Sequence, residues 1–231
     1  MTDFETVLWD VGGVILDVES VQAGHRRFVG WLVDEFDVEA SEDEAVETWR
    51  TAVGEHFRGR DGTEFRSARE GYHRAVEAIV GEPVERETWQ SAMRSISADV
   101  VRQNPNARET IAQIAETGRH QGVVSDADHD ELLWLLDHLE IREFFDAITT
   151  SEAVGRTKPD PAMFEAALSR AGVDPGRALM VGDRYAHDMA GAARHGIATA
   201  AYGAEDGPAV DYRLSDLADL LAILGIEAES N

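Results

Sequence analysis

Short apolar runs alternate with helical patterns along most of this chain, and that alternation does most to narrow its possible folds. The runs are bounded by polar residues or glycine and span Val7–Asp10, Gly122–Ser125, Ala147–Thr150, Ala178–Gly182 and Ala198–Tyr202. Continuous apolar runs of this length are typical of buried parallel strands. Helical patterns lie between the later runs, over Pro105–Glu116, Asp128–Leu139 and Pro161–Ala171. The sequence therefore predicts an α/β fold with a mostly parallel sheet between helices.

The stretch from about Asp17 to Ala98 interrupts this alternation. It contains no convincing strand, and its apolar spacing predicts helices near Val21–Phe36, Glu42–Phe57, Glu64–Val80 and Arg86–Ser97. An insert after the first strand is expected at the carboxyl ends of the strands, where open α/β sheets bind ligands. We therefore expect a sheet domain formed by residues 1–17 and 99–231, and a helical domain formed by residues 18–98.

A carboxylate ends the first apolar run. Asp10 follows Val7-Leu8-Trp9, and the glycines Gly12 and Gly13 come two and three residues later. A buried strand seldom ends in a charge without a reason, because an unpaired buried charge is costly. Asp10 is either a cap for the following turn or a carboxylate nucleophile or metal ligand. The residues alone leave both interpretations open.

Two later segments also place polar side chains after apolar runs or before helices. Ser125 and Asp126 end the second run; a hydroxyl there could donate to a bound oxyanion, although both residue types commonly begin loops. Lys158 is the single lysine of the chain and precedes Pro159. A sequence that otherwise uses arginine has a compact ammonium at this position, and the two cations are not interchangeable at a tight phosphate site.

The fourth segment supplies two more carboxylates. Asp183 follows Val181-Gly182, and Asp188 lies five residues later, where a helix is expected to open. Carboxylates from neighbouring strand ends can meet at a hard cation such as Mg²⁺. The alternative is that Asp183 lies in a turn and Asp188 favours the helix dipole. The chain has no cysteine and no His-x-x-x-His pair, so we do not expect a zinc site.

The order and strand-end placement of these segments resemble the haloacid dehalogenase-like (HAD) superfamily over nearly the whole chain. Asp10 matches the nucleophile of the first motif, Ser125 the second and Lys158 the third, and the fourth is matched by Gly182-Asp183 with Asp188. The helical insert resembles the subgroup with a cap after the first strand. The resemblance implies a Rossmann-like core domain and an inserted helical cap domain.

The resemblance also implies a mechanism of phosphoryl transfer through an aspartyl-phosphate on Asp10. Mg²⁺ is then expected at Asp10, the backbone carbonyl of Gly12 and Asp183, with Asp188 nearby or bridged by water. Lys158 and Ser125 are expected to hold phosphate oxygens, and Asp126 lies beside them as a further substrate-binding candidate. The implied substrate is a small phosphorylated metabolite.

Gly12 departs from the pattern of the phosphatases in this superfamily. They usually have a second aspartate two residues after the nucleophile, which protonates the leaving group and later activates water. Loss of such acid–base help typically costs about 10²–10⁴-fold in rate. Asp17, Asp126 and His187 are the alternative proton donors that the sequence offers.

Two other functions stay open at this point. A 2-haloacid dehalogenase also lacks the second aspartate, because halide leaves without a proton, but that branch resembles Ser-Asn where this chain has Ser125-Asp126. The other is a catalytically weak member that binds a phosphorylated ligand or a protein partner. Phosphate release in the presence of Mg²⁺ would distinguish all three.

The formal net charge of −24 limits the range of partners. Such a surface repels nucleic acid and anionic membranes, so we expect neither as a partner. An acidic, arginine-using composition resembles that of proteins from extremely halophilic archaea and predicts adaptation to high salt. No apolar run is long enough to span a bilayer and no signal-peptide pattern is present, so we expect a cytoplasmic protein, monomeric or homodimeric.

Overall fold

A computed structural model describes residues 3–227 and contains a six-stranded sheet. Its strands are β1 (Thr6–Trp9), β2 (His120–Ser125), β3 (Ala147–Thr150), β4 (Ala178–Gly182), β5 (Ala198–Tyr202) and β6 (Tyr212–Leu214). Their order is β3-β2-β1-β4-β5-β6, and every neighbouring pair is parallel. The predicted α/β class with a parallel sheet is therefore confirmed.

The bounds of β1 and β2 differ from the predicted ones. β1 begins one residue earlier, at Thr6, and ends at Trp9, so Asp10 is the first residue beyond the strand rather than its last. β2 begins at His120, two residues before the predicted start. The edge strand β6 was not predicted, because it has three residues and its central Arg213 is exposed. The bounds of β3, β4 and β5 are those predicted.

Helices of the sheet-containing part alternate with the strands, as predicted. Those that precede a strand are α5 (Ala107–Glu116), α6 (His129–His138), α7 (Ser151–Val154), α8 (Pro161–Ala171) and α9 (Ala190–Ala193), and α10 (Asp219–Ile223) follows β6. Asp160 caps α8 by accepting a hydrogen bond from the amide of Ala162, and Gly172 ends the helix in the left-handed region. Met163 and Phe164 on α8 pack with Leu8, Met180 and other buried residues to form a core against the sheet.

The helical insert forms α1 (Val18–Glu35), α2 (Glu42–Arg58), α3 (Ala68–Val80) and α4 (Arg86–Val100). Helix α3 begins four residues later than predicted, because the Ser67 hydroxyl accepts a hydrogen bond from the amide of Glu70 and caps the helix there. These helices have their own apolar core, in which the ring of Phe28 packs against Trp31, Trp49 and Trp89.

The described chain divides into two compact units. One comprises the residues up to Asp17 and from Gln103 onward, and the other is Val18–Arg102. The assignment of these units as a core domain and a cap domain stays a prediction. No helix within residues 3–227 combines the length and the apolar character needed to cross a membrane.

Candidate active site

The sheet order brings the ends of three strands together. β1 lies between β2 and β4, so Asp10 after β1 has Ser125 at the end of β2 on one side and Asp183 after β4 on the other. The chain runs from β1 to β2 and β3 on one side of β1 and then crosses to β4 on the other side, which makes this a topological switch point of the kind that binds ligands in open α/β sheets. Asp10 and Ser125 are both buried there.

Lys158 joins two of the carboxylates. Its Nζ lies 2.8 Å from Oδ1 of Asp10 and 2.6 Å from Oδ1 of Asp188, and its side chain is fully buried. The other Asp188 oxygen accepts a hydrogen bond from the amide of Arg184 at 2.9 Å, and Asp10 Oδ1 also accepts one from the amide of Val11 at 2.8 Å. The single lysine of the chain is therefore at the centre of the carboxylates that the sequence singled out.

Burial controls the protonation of this group. It raises the pKa of Asp10 to about 7, because the Lys158 ammonium only partly offsets the cost of desolvation and the Asp188 carboxylate adds repulsion. Burial alone would lower the pKa of Lys158, but Asp10 and Asp188 outweigh it and the net shift is upward. Burial and Asp188 likewise raise the pKa of Asp183. A further positive charge would therefore favour the ionised carboxylates.

Two glycines allow the carboxylates to approach the backbone. A methyl group at Gly13 would overlap the carboxylate of Asp183, and Gly13 also has a φ of +81° that favours glycine. A methyl group at Gly182 would overlap the side chain of Asp188. Packing therefore requires both glycines, and backbone conformation adds a second requirement at Gly13.

The three aspartates fit a divalent cation. Asp10, Asp183 and Asp188 each offer a carboxylate oxygen, and these atoms lie within 4.8 Å of one another. Oδ1 of Asp183 is buried and accepts no hydrogen bond from the described residues. Three carboxylates face one ammonium, and an all-oxygen ligand set suits Mg²⁺. The residues present therefore suit the ion that the sequence predicts.

Asp126 is held by protein groups on both of its oxygens. Oδ1 accepts hydrogen bonds from the Ser151 hydroxyl at 2.9 Å and from the amide of Lys158 at 2.8 Å. Oδ2 lies 3.1 Å from Nη2 of Arg184. Asp126 thus orients the loop that bears Lys158, and its predicted contact with substrate stays a prediction.

Sequence reasoning missed Arg184 and Asn104. Arg184 follows Asp183 directly, yet one arginine in a loop gives no pattern. The side-chain amide of Asn104 donates to the carbonyl oxygens of Gly13, Val14 and Leu16 at 3.1, 2.8 and 3.2 Å, and so fixes the turn after Asp10. Only the Asn-Pro dipeptide at 104–105 marked that position as a loop.

Gly12 lies on the exposed side of this turn. Beyond its two chain neighbours, no atom lies within 4 Å of the place that a Cβ atom there would occupy, and the φ of Gly12 is not positive.

The structure also describes the three alternative proton donors. Asp126 has the hydrogen-bond partners given above. Burial and Arg184 lower the pKa of His187. Burial raises the pKa of the Tyr202 phenol most, and the nearby carboxylates of Asp216 and Asp17 raise it further.

Comparison with known proteins decides the family. Residues 4–196 match the family model for haloacid dehalogenase-like hydrolases. The chain belongs to the haloacid dehalogenase-like hydrolases. The HAD hydrolase assignment that the four motifs predict is therefore confirmed.

Individual relatives of this HAD hydrolase match it over part of their length. Pyrophosphatase PpaX of Bacillus velezensis is 35% identical over 136 residues, which cover 56% of this chain and 62% of the relative. Glyceraldehyde 3-phosphate phosphatase of Methanothermobacter thermautotrophicus is 36% identical over 98 residues, covering 42% of this chain and 43% of the relative. The chain thus matches about two fifths to three fifths of the length of these curated relatives.

A solved structure matches over nearly the whole chain. The HAD hydrolase YfnB of Bacillus subtilis, bound to magnesium, has a TM-score of 0.74 at 19% identity and covers 96% of this chain and 99% of its own. At that identity the likeness shows the fold alone. It agrees with the sheet and the helical insert described above.

Proposed function

We propose that this HAD hydrolase is a Mg²⁺-dependent phosphatase of small phosphorylated compounds, with Asp10 as the nucleophile. The observation that supports this most is the cluster of Asp10, Asp183 and Asp188 around Lys158 at the switch point of the sheet. The pyrophosphatase and the phosphatase among the relatives act on phosphate compounds, which favours the same reaction here. The magnesium bound to YfnB favours Mg²⁺ as the metal.

Asp10, Asp183 and Asp188, with the backbone carbonyl of Gly12, are the groups that would hold Mg²⁺. When bound, the ion would neutralise negative charge on the phosphoryl oxygens and keep the carboxylates ionised. Lys158 orients Asp10 through its 2.8 Å contact, and its third N–H group is available to a phosphoryl oxygen, since the other two face Asp10 and Asp188. The Ser125 hydroxyl at the end of β2 is the second group proposed to hold the phosphate.

The reaction takes place in two displacements. A carboxylate oxygen of Asp10 forms a bond to phosphorus while the bond to the leaving group breaks in line, and the electron pair departs with the leaving group. Water then attacks the aspartyl-phosphate, releases phosphate and restores the carboxylate. Gly12 supplies no side chain for proton transfer, so the first step favours leaving groups that depart as stable anions.

Phosphate release with and without metal tests this proposal. We expect wild-type protein to release phosphate from p-nitrophenyl phosphate with Mg²⁺ and not with EDTA, and Asp10→Asn to abolish release while circular dichroism stays unchanged. Asp137→Asn is the matched control, because Asp137 is an exposed carboxylate paired with Arg142. Halide release from 2-chloropropionate in EDTA, without phosphatase activity, would instead establish a dehalogenase.

A further inference from the structure

Arg184 extends from one side of the active site to the other. It follows β4, and its Nη2 lies 3.1 Å from Oδ2 of Asp126, which follows β2. Because β1 lies between β2 and β4, this ion pair crosses the end of β1, where Asp10 lies. An arginine guanidinium stays charged in proteins, and the carboxylates of Asp10, Asp188 and Asp126 are near enough to attract it. Arg184 is therefore a fixed positive charge close to the nucleophile.

The guanidinium has unused donors. It carries five N–H groups, and among the residues that the structure describes its side chain makes the single hydrogen bond to Asp126. Its partner is fixed, since Oδ1 of Asp126 accepts hydrogen bonds from Ser151 and from the amide of Lys158. Arg184 is thus held in place on one edge and has its other N–H groups free for a bound anion.

The exposed fractions of the Asp10 and Arg184 side chains indicate which part of a substrate would contact the free N–H groups of Arg184. The side chain of Asp10 is 5% exposed, whereas that of Arg184 is 44% exposed. Attack and departure at phosphorus are roughly in line. A nucleophile that attacks from the buried strand end therefore expels the leaving group toward solvent, which is the side on which Arg184 is exposed.

We propose that Arg184 binds an anionic leaving group, and that the preferred substrates are phosphoanhydrides or acyl phosphates, whose leaving group is a phosphate or a carboxylate. This inference rests on the proposed phosphatase function. It also accounts for Gly12: such a leaving group departs as an anion, so a fixed cation stabilises the developing charge where other phosphatases would donate a proton.

With pyrophosphate as substrate, each bond that forms is matched by one that breaks. Asp10 forms a bond to one phosphorus, the bridging P–O bond breaks, and its electron pair stays on the departing phosphate beside Arg184. Water then attacks the phosphorus of the aspartyl-phosphate and releases the second phosphate. The carboxylate of Asp10 is restored, and the proton lost by water passes to a phosphate or to solvent.

The test compares Arg184→Gln with Arg177→Gln on two kinds of substrate. Arg177 is the matched control, because its side chain is 45% exposed and is also ion-paired with a carboxylate, that of Glu5. It precedes β4, so it lies at the end of that strand away from Arg184. We expect Arg184→Gln to lower kcat/KM for pyrophosphate and acetyl phosphate by about tenfold or more, the usual cost of a lost charged hydrogen bond. With p-nitrophenyl phosphate the loss should be much smaller, because the departing phenolate spreads its charge over the nitroaryl ring and offers the guanidinium one oxygen, whereas acetate and phosphate offer two. Arg177→Gln should behave as wild type on all three.

Asp126→Asn provides a second measurement that does not remove the arginine. Asparagine keeps an oxygen to accept the hydrogen bonds from Ser151 and Lys158, but its NH2 group would face Arg184 and cannot hold the guanidinium. We expect a higher KM for pyrophosphate in Asp126→Asn, and little further rise when Arg184→Gln is added. Melting temperatures check that each variant folds.

The outcomes separate the inference from the proposed function. Equal losses on all three substrates, or no loss on pyrophosphate and acetyl phosphate, would overturn the role of Arg184. Wild-type activity on p-nitrophenyl phosphate alone, with none on pyrophosphate or acetyl phosphate, would do the same and leave the phosphatase proposal standing. Absence of activity on every phosphate with Mg²⁺ would overturn both.

Discussion

Lys158 matches its position in both charge and size. Its Nζ lies within 2.8 Å of two different carboxylates, and no part of its side chain is exposed. A guanidinium is flat and larger, so it would reach both oxygens only by displacing one of the aspartates. Lysine at this one position is therefore explained by geometry in a chain that otherwise uses arginine.

The first prediction follows for Lys158→Arg. We expect turnover to fall by at least about 10²-fold, because displacement of a reacting group by about 1 Å can cost that much. Steady-state phosphate release measures the loss, and Arg156→Lys, an exposed residue of the same loop, is the control for exchanging the two cations. Wild-type turnover in Lys158→Arg would show that the lysine is incidental.

The second prediction concerns the residue missing at position 12. Gly12 is exposed, has open space where a side chain would lie and does not adopt positive φ, so Gly12→Asp should fold. An aspartate there could protonate a poor leaving group, a form of catalysis worth about 10²–10⁴-fold. We expect turnover of an alkyl phosphate such as glycerol phosphate to rise much more than that of p-nitrophenyl phosphate.

Gly12→Asn is the control for that experiment, because it has the same size and transfers no proton. A gain shared by Asn and Asp would point to positioning rather than acid catalysis. Equal wild-type rates on alkyl and aryl phosphates, with no selective gain in Gly12→Asp, would mean that another residue supplies the proton. His187, Asp126 and Asp17 would then be the positions to substitute.

At the scale of single elements, the strands could be predicted because each is a continuous apolar run between polar residues. The parallel direction of β1 to β5 and the aspartates near the strand ends followed from that pattern, whereas the order of the strands in the sheet did not. The edge strand β6 could not be predicted, since three residues with an exposed Arg213 give no apolar signal. The sequence also contained no sign of the role of Asn104, because its side chain binds backbone carbonyls that lie 88 to 91 residues away along the chain.

The third prediction tests whether Asn104 holds the turn after β1. A carboxylate in its place could not donate, and it would face the carbonyl oxygens of Gly13, Val14 and Leu16. We expect Asn104→Asp to lower the free energy of unfolding by about 1–3 kcal/mol, the usual cost of leaving partly buried polar groups unpaired. Mg²⁺ affinity should also fall, because the turn bears the proposed Gly12 ligand.

Urea unfolding and calorimetric titration with Mg²⁺ measure the two effects. Asn106→Asp is the matched control: Asn106 makes an exposed hydrogen bond to Asp216 and lies two residues away in the same loop. If both substitutions have the same small effect on stability and metal affinity, the turn does not depend on Asn104.

At the scale of the whole molecule, the charge is the property that most affects behaviour in solution. A formal net charge of −24 destabilises the compact state through self-repulsion at low ionic strength. Several exposed arginines are paired with acidic groups, among them Arg26 with Glu42 and Arg213 with Asp206, but isolated surface pairs each contribute about 1 kcal/mol or less. Screening by salt is therefore expected to do more for stability than these pairs.

The fourth prediction is that stability rises with salt and then levels off. The Debye length falls from about 10 Å at 0.1 M to about 3 Å at 1 M, so repulsion between surface carboxylates is largely screened by the upper concentration. We expect the melting temperature to climb steeply between about 0.05 and 1 M KCl and only slightly above that range. Sucrose at matched osmolality should give a smaller and steadier rise, since it is excluded from the surface without screening charge.

The buried contacts of Lys158 with Asp10 and Asp188 are shielded from salt, so activity at high KCl should persist as long as the fold does. A melting temperature that stays flat or falls over the same range would show that the acidic surface is not an adaptation to salt.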